Sequence, residues 1–244
     1  MRHISAVGLA FLGALALAAG AAAETPSFDE QAGGLFRKFA EVRGRKDLNS
    51  SLLAAAENGD AAAVKKALDA GADPNAEPYG FTPLMRAARN GHLEAAALLI
   101  SSGADVNAGE ADFITPLRWT AYQGRVEVAR LLIEHGAHVD GRGLDGVTPL
   151  MIAAWHGQTA MVETLLAAQA DPNLKNPHNG YTALILAAVN GRVDTVEALL
   201  KAPAIDAGAR DNEGHAAADF AAAAKRDDLA RRISQAAARK PVQP

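Results

Sequence analysis

Cysteine is absent from the 244-residue chain. Without a thiol the protein forms no disulfide bond, offers no thiolate to a metal ion and has no cysteine to carry a lipid anchor. Its folded state must therefore depend on packing and hydrogen bonding, even in an oxidising compartment. Aromatic residues are also scarce, at 5%, so the places where they cluster are informative.

An excess of positive charge is missing as well. The chain has 24 Lys and Arg residues against 28 Asp and Glu residues, which gives a formal net charge of -4. Proteins that bind nucleic acids usually need a basic surface to displace counterions from phosphates. We therefore expect no nucleic-acid partner. Because 49% of the residues are apolar, the composition favours one or two globular domains over disorder.

Apolar runs of membrane-spanning length are missing after the N-terminal segment. Within that segment, Arg2 precedes an apolar stretch from residue 4 to about residue 19, and the small residues Ala21 and Ala23 follow. This is the layout of a secretory signal peptide over residues 1–23, with cleavage after Ala23. The alternative is an uncleaved anchor, since about 20 apolar residues can span a bilayer. We expect a periplasmic protein with no membrane segment once the signal peptide is removed.

A repeat of about 33 residues organises the rest of the chain. Thr-Pro-Leu occurs at residues 82–84, 115–117 and 148–150, and Thr-Ala-Leu follows at 182–184. Glycines recur in the same register, at Gly91, Gly124, Gly157 and Gly191. Landmarks that stay in register over four units indicate a repeat architecture.

The local chemistry of each unit predicts a pair of helices. Thr82 can cap a helix that starts at Pro83, where the missing N–H costs nothing. Gly91 can end that helix in a left-handed conformation. Residues 92–103 then have the pattern of a second helix. The side chains expected to face inward from it are Leu93, Ala97, Leu98 and Ile100. A turn-rich, hairpin-like loop completes the unit.

This pattern resembles the ankyrin repeat family, with its period of 33 residues and its T-P-L-H-x-A signature. The resemblance implies an all-α solenoid of about six helix-turn-helix units. Four units match the pattern well and two degenerate units cap the ends, because the outer faces of end units meet water. The expected units cover residues 47–76, 77–109, 110–142, 143–176, 177–210 and 211–234.

The flanking segments are expected to serve three purposes. Residues 24–33 are predicted to be a linker and residues 235–244 a disordered tail. Residues 34–46 are predicted to form an N-terminal capping helix, because apolar side chains recur there at helical spacing. Those side chains are Leu35, Phe36, Phe39 and Val42.

The chain departs from the family pattern at several positions. The signature His is replaced by Met85, Arg118, Met151 and Ile185. The hydrogen bonds that this His makes between neighbouring loops in the family are therefore not expected. Phe113 stands where the loop usually has Gly, and Asn176 is an extra residue between two units. We expect the loops around these two residues to be individually shaped.

Motifs that indicate catalysis are absent. The chain has no G-x-S-x-G, no G-x-x-x-x-G-K-S/T and no H-E-x-x-H. His135, His138 and Asp140 lie close together in the sequence, but they fall in a loop where the repeat places ordinary solvent-facing residues. We therefore predict that the protein is not an enzyme and needs no cofactor or metal. The alternative is a hydrolase or metal-binding protein that uses His135, His138 and His156.

The resemblance implies that partners bind to the loops and to the exposed end of each first helix. The positions in question are the residue two before the closing glycine, the residue one before it, and the loop residues before the threonine. Aromatic and Arg side chains are the usual anchors of protein interfaces. The candidate partner-binding residues are Tyr79, Phe81, Arg89, Asn90, Phe113, Tyr122, Gln123, Trp155, His156, Tyr181 and Asn190.

Some of these aromatic rings have an alternative role in packing. Phe81, Phe113 and Tyr181 can instead pack against the loop of the next unit. Trp119 is expected to pack inward, because its position in the family pattern usually faces the interior.

The function that follows is that of a monomeric, non-enzymatic periplasmic scaffold. It is expected to bind another protein on a concave groove and on its loop fingers. One alternative is an inhibitor or immunity protein that occludes a secreted toxin or enzyme. Another is an accessory factor in stress tolerance, which only the family resemblance implies.

Overall fold

The computed structural model describes residues 44, 47–77, 80–109 and 115–239, all within the compact unit Gly44–Pro244. The predicted signal peptide, linker and nearly all of the predicted capping helix lie outside these residues, as do Tyr79 and Phe113. Within the described ranges the regular structure is helical, with a single isolated bridge between Arg210 and Ala216. No helix in these ranges is long and apolar enough to cross a membrane.

In the described part of the chain the helices form six consecutive pairs, which confirms the predicted all-α solenoid. The first helices of the units are α1 (residues 47–58), α3 (Pro83–Asn90), α5 (Pro116–Gln123), α7 (Pro149–His156), α9 (Ala183–Val189) and α11 (Ala217–Ala223). The second helices are α2 (Ala61–Asp69), α4 (Leu93–Ser101), α6 (Val126–Glu134), α8 (Thr159–Ala167), α10 (Val193–Leu200) and α12 (Asp227–Ala238).

Four of the first helices, α3, α5, α7 and α9, begin directly after the threonines, as the sequence predicts. The hydroxyl oxygen of each threonine accepts a hydrogen bond from the backbone N–H three residues further on, at 3.2–3.3 Å. The four caps are Thr82, Thr115, Thr148 and Thr182. Helices α3, α5 and α7 end at glycines in the left-handed conformation, as predicted. Helix α9 ends one residue earlier, because Asn190 caps it and Gly191 follows with φ +63°.

The predicted inward face of α4 is only partly right, because Leu98 and Ile100 pack against the core but Leu93 and Ala97 do not. Its buried residues are Ala95, Ala96 and Leu99. Of the residues expected inside, Leu93 is 45% exposed. Three more are exposed or half-buried, namely Ala97, Leu98 and Ile100. Because nearly every position of α4 is apolar, spacing alone does not fix which side faces inward, and the small alanines let α4 pack close to its neighbours.

One continuous core runs through the units and contains mainly Ala, Leu and Val side chains. The first helices pack against one another more extensively than the second helices do. The first helices therefore form the more closely packed of the two helical layers.

Helix α12 extends beyond the predicted boundary at residue 234 and ends at Ala238. Residues 235–238 are thus helical and are not part of a disordered tail. Leu229 and Ile233 of α12 are buried, and Ala236 packs against the same core. This apolar stripe continues for one turn past the predicted end, which explains the longer helix.

A row of asparagines joins the loops of successive units. The Asn75 amide donates to the carbonyl of Gly103 at 2.9 Å, and its side-chain oxygen accepts from the N–H of Asp105 at 2.7 Å. Asn107 and Asn173 make the same pair of bonds to the units that follow them. These bonds link neighbouring loops where the family's signature His is missing.

Asp140 occupies the corresponding position in the third unit and interrupts the row. Both of its carboxylate oxygens accept from the N–H of Asp171 at 3.2 Å. The side chain of Asp140 has no N–H group. It therefore cannot donate to the carbonyl of Gln169, as the asparagines of the row do to the corresponding carbonyls. Burial raises the pKa of the Asp140 carboxyl, and the negative charge of Asp171 adds to the effect, while the hydrogen bond from Asp171 and the charge of Arg142 oppose it.

Candidate functional site

In α3, α5, α7 and α9 the fourth and the seventh residue lie on the same side of the helix. In the last three of these helices the seventh residue is exposed, whereas the fourth is half-buried or, for Leu186, buried. Residues three apart lie on the same side of a helix, so these two positions form adjacent columns along the stack. In α3 both columns hold arginines, Arg86 and Arg89. In α5, α7 and α9 they hold only apolar side chains, which we call the apolar strip: Trp119, Tyr122, Ile152, Trp155, Leu186 and Val189.

The outer column of the strip is strongly exposed. Tyr122 is 48% exposed, Trp155 44% and Val189 38%. These side chains occupy the same position in three successive units, so together they form a contiguous apolar surface. Contiguous apolar surface on a folded protein is typical of an interaction site, whereas isolated exposed apolar residues are common everywhere.

Ring contacts hold the first part of the strip in place. The ring of Tyr122 lies 6.1 Å from that of Trp119 and 4.4 Å from the imidazole of His156, both in edge-to-face arrangements. Phe81 of the preceding unit lies 6.2 Å from Trp119. The guanidinium of Arg89 lies over the same indole, 4.9 Å from its centre. Tyr122 is therefore exposed but has neighbours on two sides that restrict its orientation.

A groove of about 410 Å³ lies beside the strip, among the third, fourth and fifth units. Its lining includes Tyr122, Trp155, His156 and Tyr181, all of them candidate residues from the sequence. Buried polar residues also contribute to the lining, in particular Arg118, which is 6% exposed. The groove thus combines aromatic walls with a buried cation.

Arg118 is held in place by an ion pair. One terminal N–H group, Nη2, donates to the carboxylate of Asp145 at 2.5 Å. The other two nitrogens, Nε and Nη1, are buried and have no partner among the described residues. A buried donor without a partner costs about 1–3 kcal/mol. Arg118 therefore brings unused hydrogen-bonding capacity to the groove.

The extra residue Asn176 shapes the loop that carries Tyr181. Its amide donates to the backbone carbonyl of Asp145 at 2.9 Å, and its own N–H donates to the carbonyl of Tyr181 at 2.9 Å. The sequence predicted an individually shaped loop here, and these bonds show how it is closed. The ring of Tyr181 then packs 5.6 Å from Phe220 of the last unit.

His156 is half-buried beside Tyr122. Burial lowers the pKa of its imidazole, and the positive charge of Arg192 lowers it further. Arg192 is held nearby because its Nε donates to the carbonyl of Trp155 at 3.3 Å. Both effects favour the neutral imidazole, which contributes a flat, weakly polar ring to the groove wall.

Several predicted site residues have a role in the scaffold. The Asn90 amide donates to the carbonyl of Glu57 in the preceding unit at 2.8 Å. The Asn190 amide donates to the carbonyl of Leu186 in its own helix at 2.9 Å. Phe81 contacts Trp119 across the junction between two units, as Tyr181 contacts Phe220. Gln123 is half-buried beside Tyr122, and the predicted loop residues Tyr79 and Phe113 lie outside the described residues.

The inner column of the strip and Arg118, which lines the groove, are not among the site residues that the sequence predicts. Trp119 was expected to pack inward, but it is half-buried and contacts Tyr122 on the exposed face. Ile152 and Leu186 were not singled out, although both line the groove. The signal was present, because each lies three residues before a predicted contact position. Arg118 was noted only as a departure from the family pattern.

The histidines that suggested a metal site do not converge in the described part of the chain. No three His, Asp or Glu side chains there are grouped so that they could hold a metal ion. The Nδ1 of His135 donates to the carbonyl of Leu131 at 2.8 Å, within one turn of chain. His156 lies in the groove, on a different unit.

Comparison with known proteins identifies the repeat. A family model described as ankyrin repeats in three copies matches residues 34–110, 109–176 and 166–243. These matches cover most of the chain, including every helix pair described above. A search of curated proteins found no significant match.

Proposed function

The chain belongs to the ankyrin repeat family, whose repeats form scaffolds for protein–protein interaction, and from this premise we propose that the apolar strip and its groove bind a partner protein in the periplasm. The observation that carries the proposal is the row of three exposed apolar side chains, Tyr122, Trp155 and Val189, at the same position of α5, α7 and α9. We further propose that the protein acts by binding alone, without catalysing a reaction.

Trp155 and Tyr122 are the proposed anchors of the interface. Both are large and exposed, and the ring of Tyr122 is also held by Trp119 and His156, so few of its rotamers have to be frozen when a partner binds. A preorganised surface of this kind loses little conformational entropy on association. Truncating an anchor of an interface typically costs at least about 2 kcal/mol of binding free energy.

The proposed location rests on the N-terminal pattern. If residues 1–23 direct export, the protein recovered from the periplasmic fraction starts at Glu24. Mass spectrometry of its N-terminal peptide tests this directly. A chain that retains Arg2 and stays with the cytoplasmic or membrane fraction would contradict the proposed location.

The proposed interface is tested with a double variant. The tagged wild-type protein is used to capture partners from an envelope extract. The double variant that combines Tyr122→Ala with Trp155→Ala is tested in parallel. A matched control is Leu93→Ala, because Leu93 is as exposed as Trp155 but lies on a second helix. We expect the double variant to lose the partner by about thirtyfold or more in affinity and the control to keep it. Equal capture by all three proteins would refute this interface.

A further inference from the structure

The spacing of the apolar strip favours one kind of extended ligand. Packed helices lie about 8–10 Å apart, so the equivalent residues Tyr122, Trp155 and Val189 recur at roughly that distance along the stack. A polyproline II helix has three residues per turn and advances about 9 Å in each turn. An α-helix advances about 5.4 Å per turn, and a β-strand repeats its side chains about every 6.7 Å. The polyproline II repeat therefore presents a side chain from every turn to each successive unit, whereas an α-helix does so only from every second turn.

The unused hydrogen-bonding groups point to the same ligand. Among the described residues, each buried side-chain polar atom without a partner is a nitrogen that carries a hydrogen. These atoms belong to Arg86, Arg118 and Trp119, on the two neighbouring helices α3 and α5. Of the three residues, Arg118 lines the groove, so the two nitrogens that it leaves unpaired there call for acceptors.

A proline-rich segment supplies acceptors and few donors. Polyproline II has no internal hydrogen bonds, so its carbonyls are free, and proline lacks the backbone N–H. Such a segment can bring a carbonyl to Arg118, directly or through one water molecule, without burying an unpaired donor of its own. A sugar chain also stacks on aromatic rings, but each of its hydroxyl groups brings a donor together with an acceptor.

The charges around the groove favour a neutral segment. The Arg118 guanidinium is paired with Asp145, whose side chain is 39% exposed. An acidic ligand would therefore meet the Asp145 carboxylate, and a basic one would meet Arg118 and, at the end of the strip, Arg89. Neutral rings avoid both penalties.

We propose that the apolar strip and its groove bind a proline-rich segment of the partner in the polyproline II conformation. Its rings lie on Tyr122 and Trp155, and its carbonyls face the guanidinium of Arg118. This inference rests on the proposed function and names the class of partner.

The test uses the two tryptophans of the chain as reporters. The full chain is expressed with ¹⁵N labelling and purified in the form that the cell produces. It is titrated separately with decaproline, with a neutral Gly-Ser decapeptide and with a tetramer of N-acetylglucosamine. Trp155→Phe assigns the indole signals, because it removes one of them. We expect decaproline to shift the Trp155 indole signal saturably, with an affinity at least tenfold above that of either other ligand.

Variants decide whether the signal comes from the strip. Trp155→Ala is expected to weaken decaproline binding at least tenfold, while Leu93→Ala leaves it unchanged; circular dichroism checks that both variants fold. The inference is overturned if decaproline gives no saturable shift at millimolar concentration, if the Gly-Ser peptide binds equally well, or if the sugar binds better.

The same data separate this inference from the proposed function. If decaproline does not bind but the Tyr122 and Trp155 double variant still loses its captured partner, the interface stands and only the nature of the ligand is wrong. If decaproline does not bind and the double variant keeps its partner, both proposals fail.

Discussion

Asp140 has a carboxylate where the equivalent residues of the row have an amide, and this difference removes one hydrogen bond between two neighbouring units. An asparagine here could donate to the carbonyl of Gln169, as Asn107 donates to that of Gly136 at 3.1 Å. It would also remove a negative charge that lies close to Asp171. We expect Asp140→Asn to raise the free energy of unfolding by about 0.5–1.5 kcal/mol, measured by urea denaturation. The mirror variant Asn107→Asp is expected to lower it by a similar amount, and an effect of opposite sign in either variant would contradict this.

The gain from Asp140→Asn should depend on pH. The pKa of the folded-state carboxyl lies above its ordinary value of 3.8. The contribution of Asp140 to stability is therefore fully present below about pH 3.8 and is lost as the pH rises through the raised pKa. The asparagine variant is expected to gain most at neutral pH and least in acid.

His156 gives a pH dependence of the opposite sign. The pKa of the folded-state imidazole lies below 6.5, mainly through burial. The stability associated with the neutral ring is fully present above about pH 6.5 and is lost as the pH falls from there toward the folded-state pKa. Between pH 7.5 and pH 5, the wild-type protein is expected to lose more unfolding free energy than His156→Phe, which keeps a ring against Tyr122. Parallel losses in urea denaturation would exclude this role for His156.

At the scale of the helix, the glycine that ends α7 is constrained twice. Gly157 has φ +73°, and a Cβ there would lie 2.7 Å from Cδ of Arg192. Gly136 has φ +87°, but nothing lies within 4 Å of the place a Cβ would take. Alanine at either site strains the backbone by about 1–2 kcal/mol.

Gly157→Ala is expected to be the more harmful variant, because it also displaces Arg192 from the carbonyl of Trp155. The additional loss of unfolding free energy over Gly136→Ala is expected to be about 1 kcal/mol. Urea denaturation of the two variants measures the difference. Equal losses would show that Arg192 moves aside without cost.

The boundaries of the first helices could be predicted because their signals are local. A threonine hydroxyl, a proline at the first position and a glycine at the end act within a few residues of where they stand. The inward face of α4 could not be predicted in this way. Leu93 and Ala95 are both apolar, and only the neighbouring helices decide that the alanine is buried and the leucine is exposed.

Part of the candidate site also could not be predicted from local sequence patterns. Tyr122 and Trp155 were found because the repeat aligns them in one column. The ion pair of Arg118 joins Asp145 in the next unit, 27 residues away in sequence, and depends on how two units stack. The part played by Asn176 is also a matter of stacking, since its amide reaches the carbonyl of Asp145.

At the scale of the whole molecule, the apolar strip occupies the middle of the stack. Its three helices come from units that match the repeat pattern well, and each is packed between two neighbouring first helices. In a repeat protein each unit is stabilised mainly by its neighbours, so central units are the most firmly held. The strip is therefore carried by helices that have a packing neighbour on both sides, which suits a surface whose role is to bind.

The most direct test of a partner-binding strip is photo-crosslinking in living cells. Trp155→p-benzoylphenylalanine places a photoreactive ring in the strip, and the same replacement at Leu93, which is similarly exposed, provides the control. The account predicts that irradiation produces a discrete higher-mass species in the periplasmic fraction from position 155 and none from position 93. A crosslink from position 93 with none from position 155 would contradict the claim that the strip binds the partner.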